Sequence, residues 1–175
     1  MINLDRIASF EKISFQQYLN DLGCQDHATK KEYEAIKLPK RATTGSAGYD
    51  FYSPTSFTLD VGETIKIFTG IRVKMTNGWF LMILPRSGHG FKFRVQLDNT
   101  VAIIDSDYYD SENEGHIILK LTNDGKSNKT VSIKAGEGLA QGIFVPFGIT
   151  IDDEVTAIRN GGFGSTTKQE STTND

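Results

Sequence analysis

IRVKMTNGWFLMIL, residues 71–84, sets the fold class. Ile71, Val73 and Met75 alternate with Arg72 and Lys74, the period of a strand with one face in the core and one in water. Asn77 and Gly78 supply a turn signal, and WFLMIL, Trp79 to Leu84, follows as an apolar strand. The period of two recurs at Phe57, Leu59 and Val61 and again at Ile117, Leu119 and Leu121. Gly62, Gly88 with Gly90, Asp124 with Gly125, and Gly136 mark further turns. Strands this short, with no helices of crossover length to join parallel partners, predict an all-β antiparallel barrel or sandwich.

The exception is N-terminal. Phe15, Tyr18, Leu19 and Leu22 fall at helical spacing, Ser14 and Gln17 match a capping box, Ile13 and Tyr18 a hydrophobic staple, and Gly23 a stop. A short helix over Ser14–Leu22 is predicted, packed as a prop on the main body or presented to a partner. The 175 residues fit one domain, divided here into a helical extension (1–32), the β-body (33–158) and a polar C-terminal arm (159–175) expected to be mobile.

A net charge of −3, with 22 acids mixed among 19 bases, excludes the broad basic field of a general nucleic-acid binder. One cysteine, Cys24, allows no internal disulfide, and His27, His89 and His116 have no zinc-site spacing. No apolar run approaches the roughly 20 residues of a membrane span, so a cytoplasmic protein without signal peptide is expected.

Five segments place glycine, acid or base where plain turns would suffice. In GSAGYDFYS (45–53), Asp50 either serves a turn or faces a ligand. PRSGHG (85–90) joins Arg86 and Ser87 to glycines, a set suited to phosphate oxygens or to a simple surface turn, and no Walker motif accompanies it. VAIIDSDYY (101–109) ends an apolar run on Asp105, with Asp107 and Tyr108 beyond. A carboxylate fixed at a strand end suits a general base, a cation site or a hydrophilic loop, and DSENE (110–114) reads as solvated. In KAGEGLAQGIFVP (134–146), Gln141 interrupts an apolar strand and must satisfy main chain at a bulge or meet a polar ligand. RNGGFGSTT (159–167) sets Phe163 among glycines, between a cation and hydroxyls, as a phosphate wrap with a base-stacking ring or as a flexible tail.

In this order the five segments resemble the motifs of the homotrimeric dUTP diphosphatase (dUTPase) family, from Leu38 to Thr166; the N-terminal extension and YYDSENEGHI are similar to those of Firmicute and phage members. The resemblance implies a jelly-roll-like β-barrel, a homotrimer with active sites shared between subunits, and Mg²⁺-assisted hydrolysis of dUTP to dUMP and pyrophosphate. A phage origin would put it in a host cytoplasm. By position, Asp105 activates the water that attacks the α-phosphorus, and Asp50 holds waters around the metal. Arg86, Ser87, Gly88 and Gln141 take the phosphates, with Arg159, Gly164 and Ser165 from the arm. Asn99 and the chain at Ile103, Ile104 and Ile118 read uracil, Tyr108 lies beneath the deoxyribose, and Phe163 covers the base.

The sequence departs from the family pattern at Ala102 and Asp98, each in place of a glycine, and at Gly138, in place of an arginine. Residues 110–114 form an insertion, Arg159 stands one position nearer the glycines, and Thr167 replaces a glycine. The same barrel serves dCTP deaminases, and the N-terminal helix or the 110–114 loop would suit a regulatory protein partner; both remain alternatives to dUTP hydrolysis.

Overall fold

The computed structural model describes residues 5–23, 28–126, 128–159 and 161. Strand β1 (Ala8–Lys12) leads to helices α1 (Phe15–Leu22) and α2 (Ala28–Ala35). Strands β2 (Lys40–Arg41), β3 (Tyr49–Tyr52), β4 (Phe57–Leu59), β5 (Thr64–Phe68), β6 (Ile71–Met75) and β7 (Trp79–Pro85) follow. Helix α3 (Ser87–Phe93) precedes β8 (Val95–Leu97), β9 (Ala102–Ile104), a 3-10 turn (Ser106–Asp110), β10 (Ile118–Asn123), β11 (Val131–Ile133) and β12 (Gly138–Pro146).

The pairings among these strands are antiparallel and form four sheets, ordered β1-β6, β5-β10-β8, β11-β4 and β2-β3-β12-β7-β9. Among the described residues hydrogen bonding does not run continuously round a barrel, but the architecture is the all-β antiparallel one that the strand period predicts and the jelly-roll-like one that the resemblance implies. Across the Asn77–Gly78 turn, where Gly78 takes φ +87°, the chain passes between sheets: β6 pairs with β1, and β7 with β12 and β9. A left-handed backbone at this corner suits glycine, which has no Cβ to clash.

Alternation is what fills the core. Ile71, Val73 and Met75 point inward from β6, Leu81 and Ile83 from β7, Leu119 and Leu121 from β10, and Val131 and Ile133 from β11. Each such side chain contributes about 1.5–3 kcal/mol through removal from water. Phe10 of β1 packs on Phe51 of β3 and Phe144 of β12, with centroids 5.6 and 5.7 Å away, locking the small β1-β6 sheet onto the five-stranded one. Ile13, Tyr18 and Ile36 join the same core, so the N-terminal segment shares the hydrophobic centre of the β-body.

Helix α1 has its predicted N-cap and stop: Ser14 Oγ accepts the Gln17 N–H at 3.1 Å, and Gly23 adopts φ +66°. The reciprocal half of the capping box is supplied from elsewhere. Glu114, not Gln17, accepts the Ser14 N–H, and the Gln17 amide turns instead to Asp21. Strand β1 and helices α2 and α3 are additions to the expected elements. Helix α2 is too polar for a visible stripe, and β1 becomes a strand by pairing with β6. PRSGHG opens a helix where the sequence predicts a turn. Val61 lies past the end of β4 and is 45% exposed, because the Asp60–Glu63 turn breaks the alternation that the sequence continues. No helix among the described residues is long and apolar enough to cross a membrane.

Candidate active site

The end of β9 and the 3-10 turn behind it build one wall of a cavity. Asn99, Ile103, Ile104, Asp105, Tyr108, Ile118 and Arg159 line it, joined by Ala102, His116 and Ile117. Ile104 pairs with Leu81 of β7, so Asp105 projects from a strand end anchored in the five-stranded sheet. The apolar run stays in the sheet while the carboxylate leaves it, the favoured arrangement for a charge that burial would penalise. Tyr108 is buried; its hydroxyl donates to the His116 carbonyl oxygen at 2.9 Å and accepts from Asn113 Nδ2 at 2.7 Å. Burial raises its pKa, keeping the phenol protonated. The Arg159 guanidinium holds Asp105 through Nη2 and Asp107 through Nε, the latter at 2.8 Å.

A second cluster gathers on β12. Gln141 pairs with Asp50 of β3 on one side and Leu84 of β7 on the other, which sets Arg86 just beyond the neighbouring strand end. A register shift between Gly138 and Ala140 marks a bulge directly before Gln141. Arg86 Nε lies 3.2 Å from Asp50 Oδ1, and Arg86 Nη1 donates to the Gly138 carbonyl oxygen at 3.4 Å. Gly138 fits this cluster because a Cβ there would overlap Arg86 Nη1; the arginine occupies the space a side chain would take. Gly48 is matched to Gln141 in the same way, since its Cβ would overlap the amide carbon Cδ. Ser87 and Gly88 form the first turn of α3, where backbone N–H groups lack intrahelical acceptors. His89 follows them, its pKa lowered by burial and by the Arg86 charge, so it adds no cation at neutral pH.

Among the described residues no three His, Cys, Asp or Glu side chains converge, so an ion held by protein ligands alone does not fit. Asp50 does fit a hydrated ion that arrives on phosphate. Its Oδ1 is buried yet has no hydrogen bond, because Arg86 approaches it off the donor direction. Magnesium keeps several waters and takes few carboxylates, and one carboxylate with an oxygen that accepts no hydrogen bond suits that habit.

The two clusters stand at opposite ends of β7. Asp105 follows the residue paired with Leu81, whereas Arg86 follows Pro85, the last residue of the strand. Asp105 lies opposite Phe80, so six residues of strand put roughly 20 Å between them. One chain therefore brings Asp105, Tyr108, Asn99 and Arg159 together, and Asp50, Gln141, Arg86 and Ser87 together, but not the two groups with each other. Phe163, Gly164 and Ser165 lie outside the described residues.

The family model for dUTPase matches residues 34–167. The chain belongs to the dUTPase family. It is 38% identical to the deoxyuridine 5'-triphosphate nucleotidohydrolase of Lactococcus lactis over 141 residues, covering 79% of this chain and 93% of that protein. The corresponding enzyme of Haemophilus ducreyi is 38% identical over 157 residues, covering 85% and 97%. The crystal structure of the Streptococcus mutans dUTPase superposes with a TM-score of 0.61 at 32% identity, over 81% of this chain and 97% of the other. The dUTPase of the Staphylococcus aureus phage phi11 shares the fold with a TM-score of 0.62 at 19% identity, over 87% and 97%.

Against the dUTPase pattern, the structure adds residues that sequence reading passes over. His116 lines the cavity and is completely buried, and Asp107, singled out by sequence without a role, shares Arg159 with Asp105. The DSENE insertion is not simply a solvated loop: Ser111 is buried, and Asn113 and Glu114 bond Tyr108 and Ser14. The signal for these roles is three-dimensional, because their partners lie as far as 100 residues away.

Proposed function

We propose that this chain hydrolyses dUTP to dUMP and pyrophosphate, with Asp105 removing the proton from a water that attacks the α-phosphorus. The observation that carries this reading is the placement of Asp105 at a rigid strand end, in the cavity that also holds Asn99, Tyr108 and the Ile103–Ile104 chain. The names of the curated relatives point the same way. A carboxylate at that position takes the water proton as the oxygen–phosphorus bond forms, and the bond to the β-phosphate oxygen breaks to release pyrophosphate. Asn99 and main chain at Ile103, Ile104 and Ile118 read the uracil edge, and the Tyr108 ring packs beneath deoxyribose, leaving no place for a 2′-hydroxyl.

Arg86, Ser87, Gly88 and Gln141 hold the phosphates, Arg86 as a planar donor fork and the start of α3 through its free N–H groups. Mg²⁺ bound to the triphosphate would supply positive charge against the leaving pyrophosphate. Asp50 would hold waters of that ion, and Phe163, Gly164, Ser165 and Arg159 would take the base and phosphates from the arm. With phosphate present, Arg159 has a competing anion and releases Asp105 to meet the water.

We further infer a homotrimer in which one subunit gives the Asp105 cavity and another the Arg86 cluster. The separation of the two clusters within one chain supports this, as does the segment after β12. Phe147, Ile149, Ile151, Val155 and Ile158 are all exposed in the single chain, Ile158 by 93%, an apolar run that a neighbouring copy would cover. Pyrophosphate release from dUTP, dCTP, dTTP and UTP, with and without Mg²⁺, tests the activity. Rapid release from dUTP alone and only with Mg²⁺ is expected; ammonia from dCTP would replace hydrolysis by deamination.

A further inference from the structure

We propose that Asp21, acting through His116, is a positioning residue for the deoxyribose side of the pocket, an inference that rests on the dUTP reading above. The His116 imidazole is wholly buried and bonded at both nitrogens. Its Nε2 accepts the Gly70 N–H at 2.9 Å, so the ring proton resides on Nδ1 and is donated to Asp21 Oδ2 at 2.5 Å. The second oxygen of Asp21 accepts from Gln17 Nε2 at 2.9 Å, which fixes the carboxylate along α1.

The opposite end of α1 is fastened to the same stretch of chain. Glu114 accepts the Ser14 N–H at 2.7 Å and the Ser14 hydroxyl at 2.6 Å, capping the helix from outside. Residues 113–116 are thus tied to both ends of an eight-residue helix that is anchored in the core through Tyr18. Within that stretch, Asn113 donates to the Tyr108 hydroxyl, and the His116 carbonyl oxygen accepts from it. Gly115 lies so close that a Cβ would meet the Tyr108 carbonyl oxygen at 2.7 Å. The ring assigned to deoxyribose therefore takes its position from a segment whose position is set by α1.

Removing the Asp21 carboxylate leaves a buried Nδ1–H without an acceptor, a cost relieved by turning the imidazole or admitting water. Either response shifts the carbonyl that holds Tyr108. Substrate binding and sugar discrimination should suffer more than the chemical step, because Asp105 is held independently by β9.

The test compares wild type with Asp21→Ala and Asp21→Asn in the full-length enzyme. Asp21→Ala should raise KM for dUTP about fivefold, keep kcat within about twofold and narrow the preference for dUTP over UTP. Asp21→Asn should restore both values, since its side-chain carbonyl still accepts the Nδ1 proton. An Asp21→Ala enzyme that melts earlier but keeps the wild-type KM and preference overturns the proposal. Deuterium exchange across residues 106–117 without substrate reads the same link: faster exchange in Asp21→Ala is expected, and unchanged exchange overturns it. That second measurement stands even if wild type leaves dUTP intact, a result that would sink the hydrolase reading separately.

Discussion

Asp105 and His116 line the same cavity, but only one of them is legible in the sequence. Asp105 ends an apolar run, so burial of the run and hydration of the charge locate it at a strand end from residue order alone. Arg86 and Asp50 stand out similarly, as charges among glycines. His116 gives no such sign: its partners Gly70 and Asp21 lie 46 and 95 residues away, and a buried imidazole is ordinary until both nitrogens are traced. Burial lowers the His116 pKa despite the Asp21 carboxylate beside it, consistent with a neutral ring that donates at one nitrogen and accepts at the other. At this scale the decisive variant is Asp105→Asn, which keeps shape and loses basicity. It should bind dUTP within a few-fold of wild type and lose about 100-fold or more in kcat. Steady-state pyrophosphate release checks this, and near-normal turnover would remove Asp105 from the role of base.

Among the elements, strands with one wet face declare themselves and the others do not. β6 and β10 follow a period of two that survives folding, whereas α2 has too little apolar surface to show a helical stripe and β1 becomes a strand by pairing with β6. Gln141 has two readings from its sequence context, a bulge or a polar ligand; the structure supplies the bulge and also sets Gln141 beside Asp50. Gly48 leaves the space that the Gln141 side chain fills. A methyl group there would overlap the Gln141 side chain, so Gly48→Ala should displace that amide and lower kcat/KM about tenfold. The flexible amide end can move aside, so the melting temperature should fall by only a few degrees. Thermal unfolding and kinetics on one preparation separate these effects, and unchanged kcat/KM would show that Gln141 has no need of its present place.

For the whole molecule, the separation of Asp105 from Arg86 outweighs any single contact. Both motifs can be read from the residues, but not the fact that β7 holds them apart, since that depends on register: Ile104 against Leu81 at one end, Ala140 against Pro85 at the other. If subunits share sites, Asp105→Asn and Arg86→Ala chains should each be nearly inactive alone. Refolded together, they should recover activity, because some sites would combine an intact Asp105 with an intact Arg86 from another chain. Mixtures no better than the sum of their parts would place each site within one subunit.

If subunits do share sites, strand β7 is a ruler cut to the spacing between neighbours. Its seven residues admit no casual change of length. One added residue would turn every later side chain to the other face, and two would carry Arg86 about 7 Å out of reach of its partner site. Insertions outside β7 leave that dimension unaltered, so under this reading the central strand is the enzyme's fixed gauge.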